Sequence, residues 1–103
     1  MKYIMLEQKL KDGMVQYVPI IFPKGLVHAD VAKSMIACAN ETFKGEPFTV
    51  VSAGEINVDM PRTYGNSETL LVESSPLDRL IINAIDYQPF YERSLHIRKE
   101  DKV

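Results

Sequence analysis

The residues best suited to binding lie together in the stretch DMPRTYGNSETLLVESSP, between two apolar runs. Within seven residues it holds a guanidinium, a phenol, an amide and a carboxylate, from Arg62, Tyr64, Asn66 and Glu68. Tyrosine and arginine are enriched among the residues that dominate protein–protein binding energy. The pattern therefore predicts that these four residues contact a partner. The pair Gly65-Asn66 also favours a tight turn, so a simple turn between strands is the competing interpretation.

A second candidate lies at the start of a helical pattern, where His28 is followed two residues later by Asp30. A helix N-terminus disfavours the imidazolium form, so a neutral histidine there can act as a base or bind an anion. The alternative prediction is therefore a small-ligand site or a small enzyme that uses His28 and Asp30. The competing interpretation is structural: His28 or its neighbours cap the helix, and Asp30 complements the helix dipole.

Other kinds of site are not indicated by the residue types. Two distant histidines, His28 and His96, and the single cysteine, Cys38, form no metal-ligand pattern, so we expect neither metal nor cofactor. Cys38 follows a helical period and is predicted to be a small buried hydrophobic residue. The sequence YGNSET lacks the Lys-Ser/Thr pair of a phosphate-binding loop. The carboxylates of Glu55 and Asp59 are predicted to lie on a solvated strand face. Binding without catalysis is therefore expected.

The charge distribution opposes binding to duplex nucleic acid. Residues 1–51 carry six basic and five acidic side chains, residues 52–91 carry two and six, and residues 92–103 carry four and three. An acidic middle repels phosphate backbones. A second alternative, single-stranded nucleic-acid binding, is suggested by the aromatic residues Tyr87, Phe90 and Tyr91, because bases stack on such side chains.

Length and composition predict an ordinary globular protein. The 103 residues suffice for one core, and 46% apolar with 25% charged residues is typical of soluble domains. No run is long and apolar enough for a membrane span, and the first residues do not resemble a signal peptide. We expect a single domain over residues 1–91, a charged tail over 92–103 and a cytoplasmic location.

The apolar periods predict six elements in the order ββαββα. The strands are YIMLEQKL, MVQYVPIIF, PFTVVSAGEINVD and SETLLVE, and the helices begin at His28 and at Ser75-Pro76. Asp12-Gly13 predicts a hairpin turn, and Pro19 predicts an edge strand or a bulge. The segment Ser52-Ala53-Gly54 predicts a bulge or a close approach of another backbone.

The simplest packing of these elements is an α+β fold, with a four-stranded, mainly antiparallel sheet and both helices on one face. The second sheet face would then expose Val51, Ala53 and Ile21 or Tyr17. A face of that kind is apolar enough to predict that two copies of the chain associate as a homodimer.

Four stretches resemble segments of small uncharacterised proteins from tailed bacteriophages and prophages: VPIIFPKGLVHADVA, VVSAGEINV, YGNSETL and SSPLDRLII. The resemblance covers residues 17–85. It implies an origin in a phage or prophage, an infected bacterium as the setting, and binding to a host protein, including those of defence systems. It implies no catalytic residues.

Overall fold

The computed structural model describes residues 1–57, 62–85 and 95–98. A short helical turn, Lys11–Gly13, joins the first two strands. The remaining elements, in chain order, are β1 (Lys2–Lys9), β2 (Met14–Phe22), α1 (His28–Thr42), β3 (Thr49–Asn57), β4 (Arg62–Tyr64), β5 (Asn66–Ser67), β6 (Val72–Glu73), α2 (Pro76–Ile85) and β7 (Leu95–Arg98).

The main sheet has the strand order β4-β3-β1-β2-β7, and all its neighbours are antiparallel. The strands β5 and β6 form a separate two-stranded hairpin. The α+β class, with two helices and an antiparallel sheet, is confirmed. The first four strands of this sheet lie within residues 1–64, and β7 adds a fifth at the edge beside β2.

The hairpin of β1 and β2 follows the predicted turn. Asp12 and Gly13 both have positive φ angles, 61° and 75°, which is the backbone that a tight hairpin requires. The register with β1 continues without a shift through Pro19. Since β7 pairs only with Met14 to Tyr17, the outer side of the strand beyond Tyr17 has no neighbouring strand among the described residues. Pro19 therefore lies in an edge segment, as predicted, and no bulge is needed there.

A bulge in β3 lies beside the centre of β1, one residue before the predicted segment Ser52-Ala53-Gly54. Met5 is opposite Ser52, whereas Leu6 is opposite Val50, so Val51 is an extra residue on the longer strand. A strict alternation along β3 would place Val50 and Ser52 on one face. The extra residue reverses the alternation, and Val50 packs in the same apolar cluster as Ala53.

The two helices pack on opposite faces of the sheet, so the prediction that both lie on one face is wrong. Ile4 and Leu6 of β1 join the apolar cluster that contains α1, and Tyr3 and Met5 join the cluster that contains α2. Successive side chains of a strand point to opposite faces. Because β1 is apolar on both faces, each face binds one helix.

This arrangement removes the exposed sheet face that the homodimer prediction required. Ala53 is buried beneath α1, and Tyr17 is buried in the cluster with α2. Only the margins are accessible: Ile21 and Val51 are partly exposed. The faces of the sheet are therefore occupied by this chain's own helices.

Other details also differ from the expectations. The predicted fourth strand is divided into β5 and β6 by a turn. The antiparallel partner of β3 begins at Arg62, so Gly65-Asn66 is not the turn between them; Gly65, with φ +78°, joins β4 to β5.

Cys38 is exposed, because α1 directs its opposite side to the sheet. The tail boundary stays a prediction, although Leu95–Arg98 form β7.

The start of α2 is joined to the sheet by a buried polar cluster. Ser75 Oγ accepts a hydrogen bond from the Leu77 backbone N–H at 3.2 Å, and Asp78 Oδ2 accepts one from the Ser75 N–H at 3.0 Å. This reciprocal capping confirms the predicted helix start. The Tyr3 hydroxyl donates to the same Asp78 oxygen at 2.5 Å. A carboxylate that is only 2% exposed is thereby hydrogen-bonded to the helix and to β1.

This cluster predicts a loss of stability in alkali. Burial, the hydrogen bond to Asp78 and the charge of that carboxylate raise the pKa of Tyr3 above its ordinary value of 10.0. The stability that Tyr3 contributes is therefore fully present below pH 10 and is lost as the pH rises above it. Urea unfolding across alkaline pH should show the free energy of unfolding falling by up to about 1.4 kcal/mol per pH unit from this group.

The Tyr3→Phe variant should lack this part of the alkaline slope. It should also be less stable near neutral pH by about 1–3 kcal/mol, because Asp78 loses a hydrogen-bond donor. Tyr64→Phe changes an exposed tyrosine and should keep the wild-type slope. Equal slopes for wild type and Tyr3→Phe would contradict the assignment.

Another part of the backbone passes close to Gly54, as predicted for the segment Ser52-Ala53-Gly54. A Cβ at Gly54 would lie well inside van der Waals contact with the backbone oxygen of Tyr64, and 3.2 Å from the Cβ of Ser74. Neither backbone can move away without separating β4 from β3. The absence of a side chain at Gly54 therefore sets how closely residues 64 to 74 cross β3.

The Gly54→Ala variant should be destabilised by about 1–3 kcal/mol, because its methyl group overpacks this crossing. Gly25→Ala is the matched control, since no atom lies within 4 Å of the Cβ position there. Chemical denaturation of both variants provides the measurement. A Gly54→Ala protein as stable as Gly25→Ala would show that the crossing is not close.

Candidate functional site

The predicted contact residues Arg62 and Tyr64 lie on β4, and both side chains are exposed. In the register of the sheet, Arg62 is opposite Asn57 and Tyr64 is opposite Glu55. Paired residues of adjacent strands share a face. Arg62 and Tyr64 therefore lie on the face that α1 covers, at the edge strand.

The other two predicted contact residues, Asn66 and Glu68, line a cleft of about 320 Å³. The cleft is formed by the end of the sheet, the start of α1 and the β5–β6 hairpin. Its lining residues are Lys2, Val27, His28, Glu55, Asn66, Glu68 and Thr69. Glu55 connects the two groups of contact residues, since it lines the cleft and is also opposite Tyr64. The structure thus places His28 of the alternative site beside two residues of the first.

His28 is the first residue of α1 and is only 7% exposed. Its Nε2 donates to the Gly54 backbone oxygen at 2.9 Å, and its ring packs edge-on against Phe22 at 5.4 Å between centroids. These contacts attach the helix start to β3 and β2. Asp30 lines a different, largely apolar groove between β2 and α1. His28 and Asp30 are therefore not brought together in one cleft.

The cap of α1 comes from a distant part of the chain. The residue before the helix, Val27, makes no side-chain cap hydrogen bond. The Ala29 backbone N–H instead donates to Thr69 Oγ1 at 3.2 Å. In the same turn, Ser67 Oγ accepts from the Leu70 N–H at 3.2 Å. The β5–β6 hairpin and α1 thus stabilise one another, forty residues apart in sequence.

The charged groups around the cleft are partly paired. Lys2 Nζ donates to the Leu26 backbone oxygen at 2.8 Å, and Lys24 Nζ lies 3.7 Å from Glu55 Oε1. By contrast, within the described ranges 1–57, 62–85 and 95–98, the exposed side chains of Arg62, Tyr64, Asn66 and Glu68 form no hydrogen bond or ion pair. Among the described residues, these four side chains therefore do not help to hold the fold together, although the backbones of Arg62, Tyr64 and Asn66 pair within the sheet and the hairpin.

Leu71 is a surface residue that the pattern did not single out. It lies in the turn between β5 and β6, has a φ of +57° and is 89% exposed. A branched side chain in the left-handed region costs about 1–2 kcal/mol. The alternation in SETLLVE placed Leu70 and Val72 on one face, which was the available signal that Leu71 points away from the core. The turn presents an apolar side chain to solvent next to Glu68.

Metal binding and membrane insertion find no support in the described residues. Within residues 1–57, 62–85 and 95–98, no three His, Cys, Asp or Glu side chains are arranged to hold a metal ion. No helix in the same ranges has the length and apolar character to cross a bilayer. Comparison of the chain with protein-family models, with curated proteins and with solved structures found no match.

The cap from Thr69 can be tested directly. Thr69→Val removes the acceptor for the Ala29 N–H and should lower the free energy of unfolding by about 1 kcal/mol, with faster hydrogen exchange at Ala29. Thr69→Ser retains a hydroxyl and should stay close to wild type. If Thr69→Val leaves the exchange of Ala29 unchanged, the hairpin does not cap this helix.

Proposed function

We propose that this protein is a non-catalytic binding domain, and that it contacts a partner protein through one exposed surface. This surface, the partner strip, consists of Arg62, Tyr64, Asn66, Glu68 and Leu71. The observation that carries the proposal is that the four polar side chains are exposed and form no hydrogen bond or ion pair in the part of the chain that the structure describes. Side chains with no internal partner lose no intramolecular bonds when a partner binds.

The composition of the strip suits a protein interface. Tyr64 is 45% exposed and offers an aromatic surface with a hydroxyl, and Arg62 offers five donors. Residues of these two types are enriched at interface hot spots. Leu71 adds an apolar contact at the tip of the hairpin, and Asn66 and Glu68 supply polar contacts between them. The adjoining cleft provides a recess into which a side chain of the partner fits.

The partner in this proposal is a protein of a bacterial host. The resemblance of residues 17–85 to small phage and prophage proteins supports this choice, since such accessory proteins act on host proteins, including defence systems. The setting would be the cytoplasm of the infected cell. Self-association would not use the sheet faces, because helices cover them.

The geometry supports the two alternative functions less well than it supports protein binding. A small-ligand site or enzyme at His28 and Asp30 would need both side chains in one cleft, but they line different ones. The Nε2 atom of His28 is already bonded to Gly54. The aromatic residues invoked for single-stranded nucleic acid, Tyr87, Phe90 and Tyr91, lie outside the described residues. We therefore keep protein binding as the proposal.

The partner strip can be tested by substitution. Affinity capture from bacterial lysate with wild-type protein identifies the partner, which is then purified and titrated by calorimetry. The double variant Arg62→Ala/Tyr64→Ala should bind it at least about thirtyfold more weakly, since removing hot-spot residues costs about 2 kcal/mol or more. Leu71→Asp should also weaken binding, because it places a charge in the apolar contact.

The matched control is Lys33→Ala/Leu80→Ala, which removes one exposed cation and one exposed apolar side chain from the two helices. It should bind as wild type does. All variants change exposed residues, so their unfolding curves should overlay that of wild type. Unchanged affinity of the strip variants, or the absence of any specifically captured protein, would refute the proposal.

A further inference from the structure

A second cleft, of about 240 Å³, lies where β4 meets the first turn of α2. Its lining residues are Arg62, Thr63, Ser74, Pro76 and Arg79. Arg62 and Arg79 are the two arginines whose side chains the structure describes, and both line this one cleft. Two arginine residues thus border one small space, at the outer edge of the sheet, in a protein whose acidic residues outnumber its basic ones, 14 to 12.

Neither arginine side chain is neutralised by a described residue. Among residues 1–57, 62–85 and 95–98, the side chains of Arg62 and Arg79 form no hydrogen bond or ion pair, and no carboxylate from these ranges lines the cleft. Asp78 precedes Arg79 in sequence, but its Oδ2 is buried and accepts from Tyr3 and Ser75. Two like charges in one cleft repel each other. An anion bound between them is attracted by both charges and offsets their mutual repulsion.

We infer that this cleft binds a phosphate group. Each guanidinium presents a fork of two N–H donors, so two forks require about four acceptor positions. A carboxylate has two oxygens and satisfies one fork, whereas a phosphate group has at least three terminal oxygens and nearly two negative charges. The hydroxyl of Ser74, also in the lining, supplies a further donor.

The arginines, rather than the helix backbone, must carry this binding. The N–H groups of Leu77 and Asp78 already donate to the side chain and backbone oxygen of Ser75. The cleft is also smaller than the roughly 300–1,000 Å³ of pockets that enclose whole small molecules. It therefore accommodates a phosphate group, either free or attached to a larger molecule that extends into solvent.

The test is an NMR titration of the full-length chain with inorganic phosphate at constant ionic strength, maintained with chloride. Saturable shifts are expected for the amides of Thr63, Ser74 and Arg79. Arg62→Gln and Arg79→Gln should each weaken phosphate binding by at least about tenfold. Arg79→Lys should not restore it, because an ammonium lacks the fork. Lys33→Gln removes an exposed charge on α1 and should bind as wild type does.

Phosphoserine and unphosphorylated peptides identify the source of the phosphate. Tighter binding of the phosphopeptide than of inorganic phosphate indicates a phosphorylated protein, and equal affinity indicates free phosphate; both support the site. Equal binding of acetate, equal or tighter binding of a single-stranded oligonucleotide, an equal loss in Lys33→Gln, or no saturation would overturn it. Arg79 lies outside the partner strip, so Arg79→Gln with intact partner binding separates this inference from the proposed function.

Discussion

Six consecutive residues of β1, from Tyr3 to Gln8, are buried, and the two faces of the strand pack into separate apolar clusters. Each fully buried aliphatic side chain of this kind contributes about 1.5–3 kcal/mol. Ile4 and Leu6 bind the layer that contains α1, and Met5 binds the layer that contains α2. Strand β1 also pairs on both of its edges, with β2 and with β3. The helices and the central strands are therefore placed by contact with one segment.

The polar end of β1 is buried as well, and its groups are satisfied. Glu7 accepts a hydrogen bond from the Tyr17 hydroxyl at 2.8 Å. Gln8 Nε2 donates to the backbone oxygens of Lys44 and Glu46, at 3.0 and 2.9 Å. These bonds hold the loop after α1 against the sheet. A buried amide without such acceptors would be strongly destabilising. The strand thus positions the connection into β3 as well as the helices.

Around β3, two local features determine where the surface residues lie. The bulge at Val51 turns Ala53 towards α1, and Gly54 lets the backbone at Tyr64 cross closely. The Gly54 oxygen then accepts the hydrogen bond from His28 that attaches the start of α1. The cleft, the β5–β6 hairpin and the exposed side chains of β4 all adjoin this crossing. The partner strip and the arginine cleft are consequently neighbours that share Arg62.

Local patterns were enough to predict the first three strands and the two helices, but not β4, β7 or the division of the predicted fourth strand into β5 and β6. These patterns act over only a few positions, so they can be recognised in the sequence. They are the turn residues Asp12-Gly13, the helical periods after His28 and Ser75, and the small residues before Glu55. The exposed contact residues were also recognisable, because the stretch from Arg62 to Glu68 is polar and holds the residue types enriched in protein interfaces. The exposure of Cys38 did not follow from local patterns, because apolar neighbours in sequence do not show which side of a helix faces the sheet.

The assembly was decided by contacts between distant residues. Helices on one face or on both satisfy the same local patterns, and the choice followed from β1 being apolar on both sides, with room for one helix on each. The Thr69 cap, the His28 bond to Gly54 and the cleft lined by Arg62 and Arg79 join residues that are 17 to 40 positions apart. The sequence by itself determined where the first three strands and both helices form, because those forces are short in range. Only the tertiary structure decided which surfaces they leave open, because burial depends on what packs across from each residue.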